Sequence, residues 1–192
     1  MPANGSLILP GDKSISHRSV MLAALSSQRS KIANISNGED VRSTISCLID
    51  CGIKIDFSKE NLFVTGGTFE QPASDLDCGN SGTTMRLLIG LLAGQGINAN
   101  FIGDKSLSNR PMDRIIEPLK RMGLNIKSNN LMPPIRISKS DLKGIDYNIP
   151  IPSAQVKSSI LLAALGANSE TKITEKVISR DHSEIMFKNI DV

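Results

Sequence analysis

The sequence predicts an α/β protein in which a βαβαββ unit recurs nearly three times. Three helices are predicted to be apolar nearly all round, and each is followed by a shorter amphipathic helix. Short strand-like stretches separate the helices. Self-similarity of this kind indicates repeated supersecondary units that bury a shared core. The composition agrees with a globular protein, because 40% of the 192 residues are hydrophobic and 21% are charged.

The three apolar helices are predicted over residues 16–25, 82–93 and 153–164. Each is apolar nearly all round, which is typical of a helix that is buried on every side. Small polar residues precede each helix and are favourable N-caps. They are Ser14 and Ser16, then Asn80 and Ser81, then Ser153.

The amphipathic helices that follow are expected to begin near Asp40, Asp113 and Asp181. Pro118 lies inside the second of them and predicts a kink or an early end. In the first two copies a C′ glycine, Gly52 or Gly123, leads into a strand. Further strands are expected at 31–35, 62–65, 99–102, 135–137 and 171–174.

The third copy contains both of its helices, but the sequence stops before the glycine and strand pair that close the first two. We therefore expect the third unit to be incomplete and the chain to be a fragment of a longer protein.

Composition excludes several classes of function. The net charge of +3 is too small to favour nucleic acid, and six aromatic residues provide no stacking platform for bases. No apolar run approaches the roughly 18–20 residues of a membrane span, and no signal peptide is recognisable.

Three cysteines, Cys47, Cys51 and Cys78, do not form a disulfide framework and are expected to be small buried hydrophobic residues. A reducing cytoplasm is the expected location.

The chemistry that the sequence favours is anion binding. The octamer at 11–18 recurs at 103–110 with six of eight positions identical, and each copy carries lysine, serine and a terminal arginine. Lys13, Arg18, Arg110 and Lys157 lie near predicted helix starts, where free N–H groups and the helix dipole favour phosphate or carboxylate. His17 and His182 have no ligand at metal-binding spacing, so we expect polar surface or lining residues, with no metal and no cofactor.

These residues resemble the 5-enolpyruvylshikimate-3-phosphate synthase family. The resemblance covers essentially the whole chain, in order, and is carried by four segments: 9–18, 79–86, 109–113 and 152–158. The Ser-Ala-Gln-Val-Lys-Ser stretch is similar to the second bacterial class of the family, in which Ala154 replaces a second serine.

The resemblance implies the enolpyruvyl transferase fold, an inside-out α/β barrel of two domains with three βαβαββ units each. Residues 1–12 would be a strand and crossover segment that belongs to the other domain. Residues 13–192 would form the N-terminal domain, incomplete in its third unit, and the C-terminal domain would be absent. The full-length form is expected to be monomeric.

The implied reaction joins phosphoenolpyruvate to the 5-hydroxyl of 3-phosphoshikimate and releases phosphate, as part of aromatic amino-acid biosynthesis. The principal acid and base residues would lie in the absent domain, so we expect this chain alone to be inactive. Glyphosate would occupy the phosphoenolpyruvate site, and Gly82 implies a sensitive protein, because insensitive relatives often carry alanine there.

Individual roles also follow from the resemblance. Lys13 would touch both substrates and support catalysis, and Gln155 would lie near both. The remaining contacts to 3-phosphoshikimate would come from Ser14, Arg18, Ser153, Ala154 and Ser179, with Arg180 as an additional residue. Gly82 and Arg110 would hold phosphoenolpyruvate, with Asp40 and Arg86 as supporting residues.

Three alternatives remain open. The chain could be a non-catalytic ligand-binding half that needs a separate C-terminal half. The sister enolpyruvyl transferase acting on UDP-N-acetylglucosamine usually has Lys-Asn where this chain has Lys13-Ser14, and its reactive cysteine would fall at Lys105. A purely structural repeat protein is disfavoured by the basic residues at the helix starts.

Overall fold

A computed structural model describes residues 5, 9–58 and 61–190 of the chain. Over these ranges the helices are α1 (Lys13–Leu25), α2 (Glu39–Asp50), α3 (Gly82–Gly94), α4 (Asp113–Arg121), α5 (Ala154–Ala164) and α6 (His182–Lys188). The strands are β1 (Arg29–Ala33), β2 (Lys54–Ser58), β3 (Asn61–Thr65), β4 (Leu76–Asp77), β5 (Ala99–Ile102), β6 (Asn125–Asn129), β7 (Met132–Ser138), β8 (Asp146–Ile149) and β9 (Lys172–Glu175). The strand expected within residues 1–12 falls mostly outside the described ranges.

The strands form three small sheets that follow one plan. The orders are β1-β3-β2, β4-β5-β7-β6 and β8-β9. The second sheet contains the whole pattern, since β4 and β5 are parallel and the β6–β7 hairpin returns antiparallel to β5. The third sheet repeats the parallel pair as β8 and β9. The predicted repetition of βαβαββ units is therefore confirmed.

Helices α1, α3 and α5 form the core, as their all-round apolar pattern predicts. Between α3 and α5 the backbones approach closely, because α3 presents glycines to its neighbour. A Cβ on Gly90 would lie 2.2 Å from the carbonyl oxygen of Ser159, and one on Gly94 would lie 2.7 Å from that of Leu162. Only a residue without a side chain permits this contact.

The first helix begins earlier than predicted, at Lys13, and its cap is neither Ser14 nor Ser16. Asp12 caps it, and its Oδ1 accepts a 2.8 Å hydrogen bond from the amide of Ile15. The Ser16 hydroxyl donates to the carbonyl of Asp12 instead. The predicted caps Ser81 and Ser153 are confirmed, because their side chains accept from Thr84 N and Val156 N.

The repeated octamer adopts the same turn twice but in different places. Asp104 Oδ1 accepts from the amide of Leu107 at 2.7 Å, as Asp12 does from Ile15. The first copy continues into α1, whereas the second forms only a short 3-10 turn, Leu107–Asn109. Pro111 follows the second turn and has no amide to extend it. The octamer therefore marks a local capping turn and not an equivalent position in the repeating unit.

Pro118 does not end α4, which continues to Arg121, so the prediction of an early end is wrong. Pro118 is buried beside Ile115 and Leu119, and this apolar packing offsets the hydrogen bond that proline cannot donate. Strands β4 and β8 were not predicted because they are short and carry polar residues such as Asp77 and Asp146.

The three cysteines are free and buried, as predicted. Burial raises the pKa of Cys51 to about 12, and a contact with Cys47 together with burial raises that of Cys78. Both thiols therefore stay protonated and serve as core residues. Among the described helices, none has the length and apolar character needed to cross a bilayer.

Candidate anion-binding site

A cleft forms where the N-termini of α1 and α5 meet the loop before α6. It is lined by Ser14, Arg18, Thr83, Ala154, Gln155, Arg180 and His182. Five of these residues were predicted as substrate contacts from three separate segments of the sequence: Ser14, Arg18, Ala154, Gln155 and Arg180. The fold thus brings most of the expected 3-phosphoshikimate residues to one place.

Arg18 is a buried cation of this cleft that is fixed by several hydrogen bonds, and only 5% of its surface is exposed. Its Nε donates to Ser183 Oγ at 2.8 Å, and its terminal nitrogens donate to Ser158 Oγ at 2.6 Å and to the carbonyl of Ser14 at 2.9 Å. Three of its five N–H groups are used in this way, which leaves two for a ligand.

A second cation, Arg180, lies near the first. Burial, followed by the charge of Arg180, lowers the pKa of Arg18 from its ordinary value. Arg180 is also 3.4 Å from Ser14 Oγ. Two like charges held close together are relieved by a bound anion, so the cleft favours phosphate or carboxylate.

A second cationic cluster surrounds the N-terminus of α3. Arg110 donates to the Oδ1 of Asn80 at 2.6 Å, just before the helix begins. A Cβ on Gly82 would lie 2.7 Å from Arg86 NH1 and 3.6 Å from Arg110 NH1, so both guanidinium groups border this glycine. Burial, followed by the charges of Arg110 and Arg114, lowers the pKa of Arg86. This cluster adds to the positive end of the helix dipole.

Gln155 joins the two clusters. Its Nε2 donates to Thr83 Oγ1 at 2.9 Å, and its Oε1 accepts from Arg86 NH1 at 2.9 Å. The amide is thus held on α5 between the cleft and the N-terminus of α3, where it can reach ligands on either side.

Other predicted residues are engaged by the protein itself. Lys13 Nζ lies 2.8 Å from Asp40 Oδ2 and is more than half exposed. Ser179 Oγ donates to Glu175 Oε1 at 2.6 Å. Ser153 caps α5. None of these three is among the residues that line the cleft.

Lys157, expected near a bound anion from its place on the third helix, is instead paired with two carboxylates of the chain itself. Its Nζ lies 2.6 Å from a carboxylate oxygen of both Glu175 and Glu184. The carboxylates satisfy its charge, so that expectation is wrong.

A buried chain of hydroxyl groups connects the first and second units. His17 Nδ1 lies 2.7 Å from Thr44 Oγ1, which lies 2.7 Å from Thr84 Oγ1. Thr84 donates to the carbonyl of Asp40 at 3.0 Å. Ser81 Oγ is a second acceptor for the Thr84 hydroxyl, at 2.7 Å. With the Thr84 proton on either acceptor, Thr44 donates to Thr84 and His17 carries its proton on Nδ1. His17 is fully buried, so its prediction as a surface or lining residue is wrong, whereas His182 does line the cleft.

The burial of His17 predicts a pH dependence of stability. Burial lowers its pKa to about 4 from 6.5. Between these values the unfolded chain binds a proton that the folded chain does not, so stability falls as the pH drops from 6.5 toward 4. The loss should be on the order of 3 kcal/mol.

Urea denaturation between pH 7.5 and 4 tests this expectation against His17→Asn, whose amide can still donate to Thr44. The wild-type protein should lose more stability than the variant on acidification. Parallel curves for the two proteins would show that His17 does not titrate as expected.

Several residues of the site could not be found from the sequence. Thr83 and Ser158 lie in the segments 79–86 and 152–158 that carry the resemblance, but no role was expected for them. Ser183 is an ordinary serine of a helix, and no spacing distinguishes it. Ser183 and Ser158 are within hydrogen-bond distance of each other and of Arg18, although 165 and 140 residues separate them from it. Only the packing of α1 against α5 and α6 brings these groups together.

The cleft at α1 and α5 encloses only about 10 Å³ in this structure. Larger clefts exist, but their chemistry is different. One of about 800 Å³ lies between α4 and residues 146–151, and its lining balances three acidic against three basic side chains. Another, of about 710 Å³, is lined mainly by apolar groups of α1, β1 and α6. Neither presents an excess of positive charge, so neither is favoured for a small anion.

Comparison with known proteins identifies the family of the chain. The family model for EPSP synthase (3-phosphoshikimate 1-carboxyvinyltransferase) matches residues 1–192. The 3-phosphoshikimate 1-carboxyvinyltransferases of Streptococcus pyogenes serotypes M49 and M3 are 46% identical over 97% of this chain and 45% of their own length. The chain therefore spans about half the length of the curated relatives it matches.

The fold is also that of solved family members. EPSP synthase from Acinetobacter baumannii superposes with a TM-score of 0.91 at 43% identity, over 96% of this chain and 43% of that one. Since sequence and fold agree over nearly every residue, the chain belongs to the EPSP synthase family.

Proposed function

We propose that this chain forms the N-terminal domain of an enzyme that transfers the enolpyruvyl group of phosphoenolpyruvate to the 5-hydroxyl of 3-phosphoshikimate and releases phosphate. The observation that carries the proposal is the pair of cationic clusters joined by Gln155. Two anionic substrates must be held side by side in this reaction, and the clusters provide two adjacent anion sites.

The cleft at α1 and α5 receives 3-phosphoshikimate. Arg18 supplies two N–H groups, while Ser14 and Arg180 lie beside it. The backbone of Ala154 and the cap residue Ser153 stand at the N-terminus of α5, where unpaired amide groups favour phosphate. Ser179 joins them when its hydroxyl turns from Glu175 to the ligand.

Phosphoenolpyruvate occupies the N-terminus of α3. Gly82 allows the ligand to approach the backbone, and Arg110 and Arg86 offset its charge. Lys13 reaches both ligands from the start of α1. Its ion pair with Asp40 is largely exposed, so exchanging that partner for a substrate costs little, on the order of 1 kcal/mol or less.

These residues bring the reacting groups together and offset the repulsion between two substrates that each carry a phosphate and a carboxylate. The 5-hydroxyl of 3-phosphoshikimate then adds to the enol carbon and loses its proton, while the methylene carbon gains one. The tetrahedral intermediate loses phosphate and a methyl proton, which restores the double bond. Proton transfer falls to a second domain, to which the segment before Gly11 also belongs. Gly11 and Asp12 themselves lie with this domain, because Gly11 packs on Asn34 and Asp12 caps α1. No cofactor takes part, and the 192 residues alone bind ligand without turnover.

The test is phosphate release by the complete protein that contains these residues, with both substrates and with UDP-N-acetylglucosamine in place of 3-phosphoshikimate. Release that requires 3-phosphoshikimate supports the proposal. Release with the nucleotide sugar would indicate the sister transferase. Calorimetric titration with 3-phosphoshikimate adds a binding measurement, and binding without release would indicate a non-catalytic half.

Gly82→Ala should weaken glyphosate inhibition of the complete protein about tenfold or more. The new methyl would lie 2.7 Å from Arg86 NH1, so Arg86 must move and the bond to Gln155 weakens. The ligand space then narrows, which disfavours the longer inhibitor more than phosphoenolpyruvate.

Inhibition curves and the KM for phosphoenolpyruvate measure this difference. Gly38→Ala is the matched control, because its methyl would meet only Ser36 Oγ, at an ordinary 3.6 Å. Equal inhibition of wild type and Gly82→Ala would contradict the assignment of Gly82 to this site.

A further inference from the structure

Lys157 holds two separate parts of the third unit. Its Nζ lies 2.6 Å from Glu175 Oε2, at the end of β9, and 2.6 Å from Glu184 Oε1, in α6. The side chains of Lys157 and Glu175 are nearly buried, with 7% and 10% exposed. One cation therefore ties both ends of the loop 176–181, which we call the β9–α6 loop, to helix α5.

The β9–α6 loop has little else to hold it. Val177 and Ile178 are 62% and 89% exposed, so apolar burial does not fix its path. Ser179 instead bonds back to Glu175 through both its hydroxyl and its amide. The position of the loop thus depends on polar contacts that begin at the carboxylates bound by Lys157.

The same loop brings Arg180 to the cleft. Arg180 is exposed and lies 3.4 Å from Ser14 Oγ. Directly after the loop, Ser183 accepts from Arg18 Nε at 2.8 Å and adjoins Glu184 in the sequence. A shift of either end of the loop would therefore move Arg180 or the partner of Arg18.

Electrostatics favour the ionised state of this ion-pair cluster. Burial alone would lower the pKa of Lys157, but its bonds to Glu175 and Glu184 outweigh burial and raise it. Burial alone would raise the pKa of Glu175, but its bonds to Lys157 and Ser179 lower it. Removing the lysine would leave two neighbouring carboxylates without their shared cation, and they would repel each other.

We propose that Lys157 is a positioning residue for the 3-phosphoshikimate site. It contacts no substrate, and it acts by holding the β9–α6 loop so that Arg180 faces Ser14 and Ser183 supports Arg18. This inference rests on the proposed function for the identity of the ligand, but the restraint on the loop is a property of the protein itself.

The complete protein carrying Lys157→Met tests the proposal by kinetics. The KM for 3-phosphoshikimate should rise about tenfold or more, whereas the KM for phosphoenolpyruvate and kcat should change by less than about threefold. Lys157→Arg, which keeps a cation for both carboxylates, should recover most of the affinity. Lys120→Met removes an exposed lysine of α4 and serves as the control.

Limited trypsin digestion gives a second readout that needs no substrate. Lys176 and Arg180 are exposed cleavage positions within the β9–α6 loop. Cleavage there should be faster in Lys157→Met than in wild type and should slow again when 3-phosphoshikimate saturates the protein. Mass spectrometry of the fragments identifies the sites.

The triple variant Lys157→Met/Glu175→Gln/Glu184→Gln leaves no unpaired charge and keeps the test valid where Lys157→Met alone fails to fold. Faster loop cleavage with a selective rise in the KM for 3-phosphoshikimate supports the proposal. Unchanged cleavage, or equal changes in both KM values, would overturn it. If the wild-type protein fails to bind 3-phosphoshikimate, the proposed function fails, and the cleavage rates alone decide whether Lys157 restrains the loop.

Discussion

Arg18→Lys should weaken the binding of 3-phosphoshikimate about a hundredfold or more, although the positive charge is kept. The guanidinium donates three of its N–H groups to Ser183, Ser158 and the carbonyl of Ser14. These bonds fix the plane of the guanidinium, in which the other two N–H groups face the ligand. Lysine has one nitrogen and cannot satisfy three protein acceptors and a ligand together. The loss of two charge-assisted hydrogen bonds, each about 1.5–3 kcal/mol, accounts for the size of the effect.

Calorimetric titration measures this change, and circular dichroism shows whether the variant is folded. Arg42→Lys is the matched control, because Arg42 is an exposed arginine on α2, outside both cationic clusters. Arg18→Ala should be at least as severe as Arg18→Lys. If Arg18→Lys bound 3-phosphoshikimate within about threefold of the wild-type affinity, the positive charge alone, and not the oriented N–H groups of the guanidinium, would account for binding.

The sequence predicted the core helices well because their evidence is local. A helix that is apolar all round has few places to lie except the interior, and α3 was found over Gly82–Gly94 where 82–93 was expected. The cap of α1 was missed for a local reason as well. Asp12 and Ser14 are both good caps, and the competition between them is decided by geometry that residue preference does not contain.

The sequence indicated which residues form the site, but not which hydrogen bonds orient them. Motifs pointed to Ser14, Arg18 and Gln155, and the fold brings them to one cleft. The partners that orient them were not predicted, because Ser183 has no distinguishing pattern and the motif that contains Ser158 does not show that its hydroxyl faces Arg18. Lys157 shows the opposite error. This basic residue of α5 was expected near a bound anion, yet it pairs with Glu175 and Glu184, which lie 18 and 27 positions later in the chain.

The close contact between α3 and α5 determines the relative position of the two cationic clusters. The packing of the fold therefore affects the proposed chemistry. Thr83 and Arg86 on α3 bond to Gln155 on α5 at the same end of the helix pair. Gly90, further along α3, sets the separation of the two backbones. Packing several residues away from the cleft therefore controls the distance that Gln155 must bridge.

Gly90→Ala should be the most damaging single-methyl change in the core, with a loss of about 3 kcal/mol in the free energy of unfolding. The methyl would lie 2.2 Å from the carbonyl oxygen of Ser159, and a backbone atom cannot rotate away as a side chain can. The helices must separate, which leaves voids around the buried leucines of α3 and lengthens the bonds at Gln155. Weaker 3-phosphoshikimate binding should accompany the lower stability.

Urea denaturation of a short series checks this reasoning. Gly94→Ala, whose methyl would lie 2.7 Å from the carbonyl oxygen of Leu162, should destabilise the protein less than Gly90→Ala. Gly5→Ala, with no described atom within 4 Å of its methyl, should change the stability by less than about 0.5 kcal/mol. A Gly90→Ala protein as stable as the Gly5→Ala control would show that α3 and α5 can part without cost, and the close contact would then not set the geometry of the site.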